Sequence, residues 1–382
     1  MIFLTGCQPV VFNKEIYSAP AASIVDNNNF PPKADRPLAE TVYQNSSMGD
    51  QSLYDGFFSH LKPVGDVGVV RGGIVPHHLV AGYIPATFFS YIAKQKPSTI
   101  ILFSPNHFRR GTSKIISGLM DWQTPYGIAA TDKDIISKLK SAGVLKIDEA
   151  TMNQEHGIFG LMPIIAKTNP QAKVVPIILD WSAPTSSLDA LLEKLTPLLP
   201  ADTVVVASVD FSHYQSWPVA NFHDEYTRAV IRNFDFDHLW DTEIDSHPSV
   251  YLTMRLMEKF GAQKIANEIS NNSAQIMGRP GAKETTSYYS PWFVAPPNKE
   301  GGEVSANEHT PAPLFRGETN AASLLFFGDM MLDRNVKKRI DEHGANWIFS
   351  ELAGQEDRFF MGMNVVHANL EGPFADSRRA IT

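Results

Sequence analysis

The chain of 382 residues contains a single cysteine, which excludes an intrachain disulfide framework and any zinc site built wholly from thiolates. It has no apolar run long enough to span a bilayer as a helix. It also lacks a block of Lys and Arg, or a basic stripe interleaved with aromatics, and its formal net charge is -8. Nucleic acid is therefore not expected as a partner, because neutralising phosphates requires clustered cations. No internal repeat is visible. What is present is an ordinary globular composition, 43% hydrophobic, enough for a substantial core. The length suggests two domains, or one domain and a fragment.

From about Val67, β-rich apolar runs alternate with amphipathic segments. Strands are expected over 67–75, 99–103, 174–179, 202–209 and 288–294, and helices over 81–95, 132–142, 157–166, 187–198, 224–234 and 249–260. This alternation predicts an α/β fold, with a mostly parallel central sheet and helices on both faces. Residues 295–320 are rich in Pro, Gly, Glu and Asn without apolar periodicity, and read as an interdomain linker. After it, 323–327 restarts as a strand entering Gly328-Asp329.

Three of the expected strands run into histidine: Val75-Pro76-His77-His78, Ser104-Pro105-Asn106-His107 and Val209-Asp210-Phe211-Ser212-His213. The carboxyl ends of parallel strands converge on one crevice, so these segments predict one shared polar site, read here as a metal site. Neutral imidazole binds iron, copper and zinc. Two histidines and one carboxylate on one face, with positions left open, form the arrangement of non-haem Fe(II) oxygenases. His77 and His107 each follow a strand and a Pro-containing turn, which holds a ligand firmly while leaving the metal open to substrate. A lone strand-end histidine more often only bonds a loop carbonyl; convergence of several favours a site. Glu155-His156 opens a helix-like run and can supply an acid/base or orient a ligand, or Glu155 can simply favour a helix N-terminus. Asp210 and His213 can act as a proton-transfer couple, or Asp210 can cap the following turn. The candidate acid/base residues are thus Glu155, His156, Asp210 and His213.

Taken in order, these motifs resemble the Memo family, which includes AmmeMemoRadiSam system protein B of prokaryotes. The resemblance covers about Gly72 to Val294 and continues through Ala81-Gly82-Tyr83, Asp121-Trp122-Gln123-Thr124-Pro125-Tyr126-Gly127 and Ala207-Ser208-Val209-Asp210-Phe211-Ser212-His213-Tyr214. It implies a fold similar to class III extradiol dioxygenases and a metal held by two histidines, matching His77 and His107, plus a third ligand. In better-known members that third ligand is a cysteine just ahead of a His-Pro or similar helix start. This chain has Glu243-Ile244-Asp245-Ser246-His247-Pro248 there and no cysteine. The replacement is expected at Asp245, then His247, then Glu243, although Asp245 or Ser246 can instead cap the helix beginning near Pro248. The resemblance implies a divalent metal, iron favoured, with copper or zinc open. It also implies a dioxygenase-like oxidoreductase acting on a small molecule or modified side chain. One fold hosts many chemistries, so a non-catalytic metal- or partner-binding module is the alternative.

Both ends carry further resemblances. Leu4-Thr5-Gly6-Cys7 resembles the lipobox of bacterial lipoproteins, with only Met1, Ile2 and Phe3 before it. Residues 1–7 are expected to be a truncated lipoprotein signal and 8–50 a tether to a domain over 51–294. Lipidation of Cys7 would anchor the chain at the bacterial cell envelope; a chance match would leave it cytoplasmic. Phe326-Phe327-Gly328-Asp329-Met330-Met331-Leu332-Asp333-Arg334 and Asn369-Leu370-Glu371-Gly372-Pro373 resemble the opening motifs of CapA-type poly-γ-glutamate proteins, which are similar to calcineurin-like metallophosphoesterases. That resemblance makes 321–382 the start of an incomplete α/β domain and places Asp329, Asn369 and Glu371 in its polar site.

Overall fold

The computed structural model describes residues 42–43, 51–279, 281–295, 324–331, 334–344 and 365–371. The Cys7 motif, the tether apart from residues 42–43, and the linker beyond Ala295 lie outside them.

Four parallel strands form the heart of the sheet: Val70–Val75, Thr99–Pro105, Lys173–Leu179 and Val204–Ser208. Their spatial order is 173–179, 99–105, 204–208, 70–75. They are short, nearly continuous runs of apolar and β-branched residues, as expected for strands buried on both faces. Successive side chains go to opposite faces, and the two cores divide accordingly. Ile101, Phe103, Val175, Ile177, Val205 and Ala207 enter one apolar cluster; Ile100, Leu102, Val174, Ile178, Val204 and Val206 enter the other. Helices Lys133–Ser141, Thr185–Leu195 and His247–Lys259 supply the first cluster. Helices Gln51–Phe58, Tyr83–Ile92 and Met162–Thr168 supply the second. Each fully buried aliphatic or aromatic side chain is worth about 1.5–3 kcal/mol, so this double-faced burial is the main stabilising force. The structure is a mixed α/β fold with helices on both faces of a mostly parallel sheet.

The helices press hard on the strand that carries His77. A Cβ on Gly73 would lie 2.5 Å from the Phe88 ring, and one on Gly72 would lie 2.7 Å from the Val205 carbonyl oxygen. Two glycines there permit close approach of helix and neighbouring strand.

The expected strand at 288–294 is present as Ser287–Val294, pairing antiparallel with Val70–Val75, and the sheet extends beyond the expected strands through Lys264–Asn272, antiparallel to Ser287–Val294. On the other side stand Gly127–Thr131, Asp121–Thr124 and Val42–Tyr43, with Ile115–Ser117 against Lys173–Leu179. Two helices also differ from expectation. The 157–166 segment is two helices, His156–Phe159 and Met162–Thr168, because Pro163 has no N–H to donate and its ring would clash with the Phe159 carbonyl in one continuous helix. The 224–234 helix begins earlier, as Trp217–Arg232, with Pro218 in its first turn, where a missing N–H costs nothing.

Leu324–Met331 and Val365–Glu371 pair in parallel as a separate two-stranded sheet, with helix Arg334–His343 between them in sequence. Asp329 is in register with Asn369, and Met331 with Glu371. Among the described residues, no helix is long and apolar enough to cross a membrane.

Candidate metal centre

The chain passes from Val70–Val75 to Thr99–Pro105 by skipping a position that Val204–Ser208 later fills. Strand order reverses around that gap, and such crossovers open a crevice at the strands' carboxyl ends. The three neighbouring strands deliver His77, His107, Ser208 and Asp210 to it.

His77 is buried and held at three points. Its backbone N–H and that of His78 donate to Asp210 Oδ1, at 3.2 and 3.4 Å. Its Nδ1 lies 3.1 Å from Ser208 Oγ, and Ser208 Oγ donates its only proton to the Gly157 carbonyl at 2.6 Å. Ser208 can therefore only accept from His77, which places a proton on Nδ1 and assigns Nε2 as the free nitrogen of the neutral ring. That Nε2 faces Asp245 Oδ2 at 3.2 Å and Asp210 Oδ2 at 3.4 Å.

His107 repeats the arrangement with a different partner. Its backbone N–H donates to Glu155 Oε2 at 3.0 Å and its Nδ1 donates to Glu155 Oε1 at 2.6 Å. Nε2 again points inward, 3.7 Å from Asp245 Oδ2. Glu155 also accepts from the Gly157 N–H at 3.0 Å, capping the His156–Phe159 turn. It thus both caps a helix and orients a histidine. A Cβ on Gly157 would lie 2.1 Å from Ser104 Oγ, so any other residue here would have to displace the Ser104 side chain at the strand end. His156 lies over His107, ring centroids 4.0 Å apart at 32°, and 5.3 Å from the His77 ring.

Asp245 precedes helix His247–Lys259, but the cap is Ser246, whose Oγ accepts from the Ser249 N–H at 3.3 Å. Asp245 is left to face the histidines. Its N–H donates to the Asp210 carbonyl at 3.1 Å, and the Asp210 N–H donates to Asp245 Oδ2 at 3.2 Å. Asp245 Oδ1 is buried with no hydrogen-bond partner.

The electrostatics favours positive charge at this point. Burial would lower the His107 pKa, but hydrogen bonds to Asp245 and Glu155 outweigh it and raise it to about 10. His77 is also raised, the charges of Asp210 and Asp245 overcoming burial. Against burial, His77 and His107 hold the Asp245 carboxyl well below the usual range, and His107 does the same for Glu155. His156 is pushed down to about 4, chiefly by burial, with His107 and His77 beside it adding to the effect, so its ring is uncharged at pH 7.

A divalent cation fits these donors. Ligand atoms of His77, His107 and His156, and of His77, Asp210 and Asp245, come within 4.8 Å of one another. Asp245 Oδ2 is the oxygen that faces both His77 and His107, its Oδ1 is left without a partner, and those two imidazoles each have the other nitrogen bonded to an orienting group, as metal-binding histidines do.

The remaining candidates go elsewhere. Glu243 pairs with His223 Nδ1 and lies 3.5 Å from Gln215 Nε2. His247 Nε2 bonds the Thr242 carbonyl at 2.9 Å, and the ring stacks on Trp240. Neither alternative third ligand meets the two histidines. His213 packs 5.8 Å from Tyr214, and among the described residues no hydrogen bond joins it to Asp210. The proposed proton-transfer couple is therefore not assembled in this geometry. His78 Nδ1 instead bonds Tyr288 Oη at 2.7 Å. Ser208 was missed from sequence, although it stands two residues before Asp210, on the same side of the strand by period-two alternation.

The Memo-like protein family model matches residues 37–292. A MEMO1 family protein of Metallosphaera sedula is 26% identical over 220 residues, spanning 53% of this chain and 77% of the relative. A MEMO1 family protein of Saccharolobus islandicus is 27% identical over 205 residues, spanning 49% and 71%. Among solved structures, an uncharacterized protein of Escherichia coli K12 aligns with a TM-score of 0.38 at 16% identity, over 58% of this chain and 99% of that one.

Proposed function

This chain belongs to the Memo-like protein family, and from that premise we propose that His77 Nε2, His107 Nε2 and the Asp245 carboxylate hold one divalent metal in a dioxygenase-like oxidoreductase site. The observation that carries this reading is the meeting of two imidazoles, each anchored through Nδ1 and turning Nε2 toward the same Asp245 oxygen. Two histidines and a carboxylate favour iron(II), with zinc or copper as competitors. When bound, iron(II) supplies Lewis acidity and redox chemistry toward dioxygen.

The surrounding residues divide the remaining work. Glu155 is committed to His107 and Gly157, and Ser208 to His77 and Gly157, so both hold ligands in place. Asp210 fixes the His77–His78 backbone through Oδ1. His156 is half-buried and lies over the His107 ring, so it lines the space beside the metal ligands where a substrate would sit. The substrate is a small molecule or a modified side chain entering at the strands' carboxyl edge.

Anaerobic reconstitution with Fe(II), followed by elemental analysis, tests the centre in wild type, His77→Ala, His107→Ala and Asp245→Ala. One iron per chain is expected in wild type and loss in each variant; unchanged stoichiometry in all three sinks the site. Oxygen uptake with a panel of catecholic substrates then tests the oxidoreductase step. Full metal loading without metal-dependent uptake would leave a metal-binding module.

A second activity is favoured by the other sheet. Parallel pairing puts Asp329 and Asn369 in register, with Glu371 two residues farther along the same strand. This supports 324–371 as part of a CapA-like unit, to which the metal domain would be accessory at a Cys7-anchored envelope location. Loss of envelope polymer in an Asp329→Ala strain is expected; unchanged polymer contradicts it. A Cys7→Ser chain that still partitions with membranes contradicts the anchor.

A further inference from the structure

Among the described residues, four that are not glycine have positive φ: Lys96, Arg109, Tyr214 and Phe234. Lys96 and Phe234 sit just past helix ends, where a left-handed residue commonly closes a helix. Arg109 (φ 48°) and Tyr214 (φ 56°) do not. They stand on the loops that follow Thr99–Pro105 and Val204–Ser208, two of the strands that build the metal centre. Strained backbone away from helix ends tends to gather at ligand sites.

The Arg109 loop is built, not loose. Buried Asn106 donates from Nδ2 to the Arg110 carbonyl at 2.7 Å and accepts from the Arg110 N–H at 3.2 Å, while the Arg109 N–H donates to the Asn106 carbonyl at 3.1 Å. This clamp presents Phe108, Arg109 and Arg110 directly after His107. Phe108 is 53% exposed and its ring lies 6.0 Å from His156. The neighbouring strand Lys173–Leu179 leads into Trp181, 55% exposed, and the strand on the other side leads to Tyr214, 64% exposed. Three adjacent strands thus each lead into one exposed large aromatic, and Phe108 lies beside the metal centre.

Two guanidinium groups lie on these rings. Arg109 sits 4.7 Å over Trp181, and Arg110 sits 5.3 Å from the Phe108 centroid. Neither makes an ion pair among the described residues, in a chain of net charge -8. A guanidinium stacked on an aromatic face is oriented by it and keeps its N–H edge free, the edge that binds carboxylate or phosphate with two parallel hydrogen bonds.

We propose that Arg109 and Arg110, stacked on Trp181 and Phe108, are the substrate-recognition rim of the metal centre and select a planar substrate bearing an oxyanion. This rests on the metal-site reading above and adds to it the charge class of the substrate. Carboxylate and phosphate share the needed chemistry; neutral analogues do not.

The test uses the full chain reconstituted with Fe(II) under anaerobic conditions, titrated calorimetrically with benzoate, phenyl phosphate and neutral benzyl alcohol. Wild type should bind at least one anion about tenfold or more tightly than benzyl alcohol. An Arg109→Gln/Arg110→Gln double variant should lose that preference and leave benzyl alcohol binding as it was. The anion that binds more tightly identifies carboxylate or phosphate as the recognised group. Equal binding of all three probes, no measurable anion binding by wild type, or full anion preference in the double variant overturns the rim. Iron content measured on the same samples separates the two readings: iron-loaded protein without anion preference refutes the rim alone, whereas wild type that takes up no iron refutes the metal centre.

Discussion

Ser208 Oγ has one proton and gives it to the Gly157 carbonyl, so the bond to His77 must run from Nδ1 to the serine oxygen. Ser208→Ala removes the group that fixes the tautomer and leaves both former partners buried. Iron affinity, measured by competition with a chelator, is expected to fall about 10- to 100-fold, with a stability loss of about 1–3 kcal/mol. Retained affinity would mean that the His77 ring is held by its carboxylate neighbours alone. A second residue-scale expectation lies behind the site. Asp224 Oδ1 accepts from Ser212 Oγ and Ser287 Oγ, its Oδ2 is buried and unpartnered, and burial pushes its pKa up to about 6. The folded protein then holds this proton more tightly than the unfolded chain, whose aspartate titrates near 3.9. Stability is therefore lost, not gained, as pH rises from about 4 through 6, by roughly 2 kcal/mol. Asp224→Asn should flatten that part of the urea-denaturation profile and be at least as stable as wild type at pH 8; an unchanged slope contradicts the assignment. Single residues were unevenly legible in the sequence. His77 and His107 announced themselves by following apolar strands. Glu243, Asp245 and His247 are too close in sequence for spacing to rank them. What separates them is local: Ser246 takes the cap, His223 takes Glu243, and the Thr242 carbonyl takes His247.

At the scale of elements, strands buried on both faces were the readable part, because Ile100 to Phe103 or Val204 to Ala207 admits few alternatives to a central strand. The edge strands were not. Lys264–Asn272 carries Asn, Glu and Ser between its apolar residues and is half-exposed, so its pairing with Ser287–Val294 comes from that partner, not from its own pattern. Helix boundaries misled where proline acted from inside an apparently continuous apolar stretch, as Pro163 does. The glycines of Val70–Val75 set the packing distance. Gly73→Ala drives a methyl into the Phe88 ring at 2.5 Å and against the Pro291 carbonyl at 3.0 Å. Overpacking of this kind costs about 1–3 kcal/mol. The loss should be smaller when combined with Phe88→Leu, which opens the ring side while the carbonyl contact stays. Additive losses in the double variant, read from chemical denaturation, would show that Phe88 is not what the glycine accommodates.

Across the whole molecule, the three groups assigned to the metal lie far apart in sequence, at 77, 107 and 245, and meet only because the strand order reverses beside the gap filled by Val204–Ser208. The centre therefore depends on the complete sheet and on both layers of helices, whose apolar clusters draw their members from between Tyr54 and Val294. The sheet closes at Ala295, whose N–H donates to the Val69 carbonyl at 3.0 Å. Every contact described for the site is made within these limits. A chain comprising residues 37–295 should consequently fold on its own, reach the same iron-to-protein ratio as the full chain, and melt within about 3 °C of the full chain's transition for the metal domain. Calorimetry and elemental analysis on the two chains decide the matter. A fragment that melts far lower, or takes up no iron while the full chain does, would show that residues beyond 295 brace the sheet, and the metal centre would then be a property of both parts of the molecule.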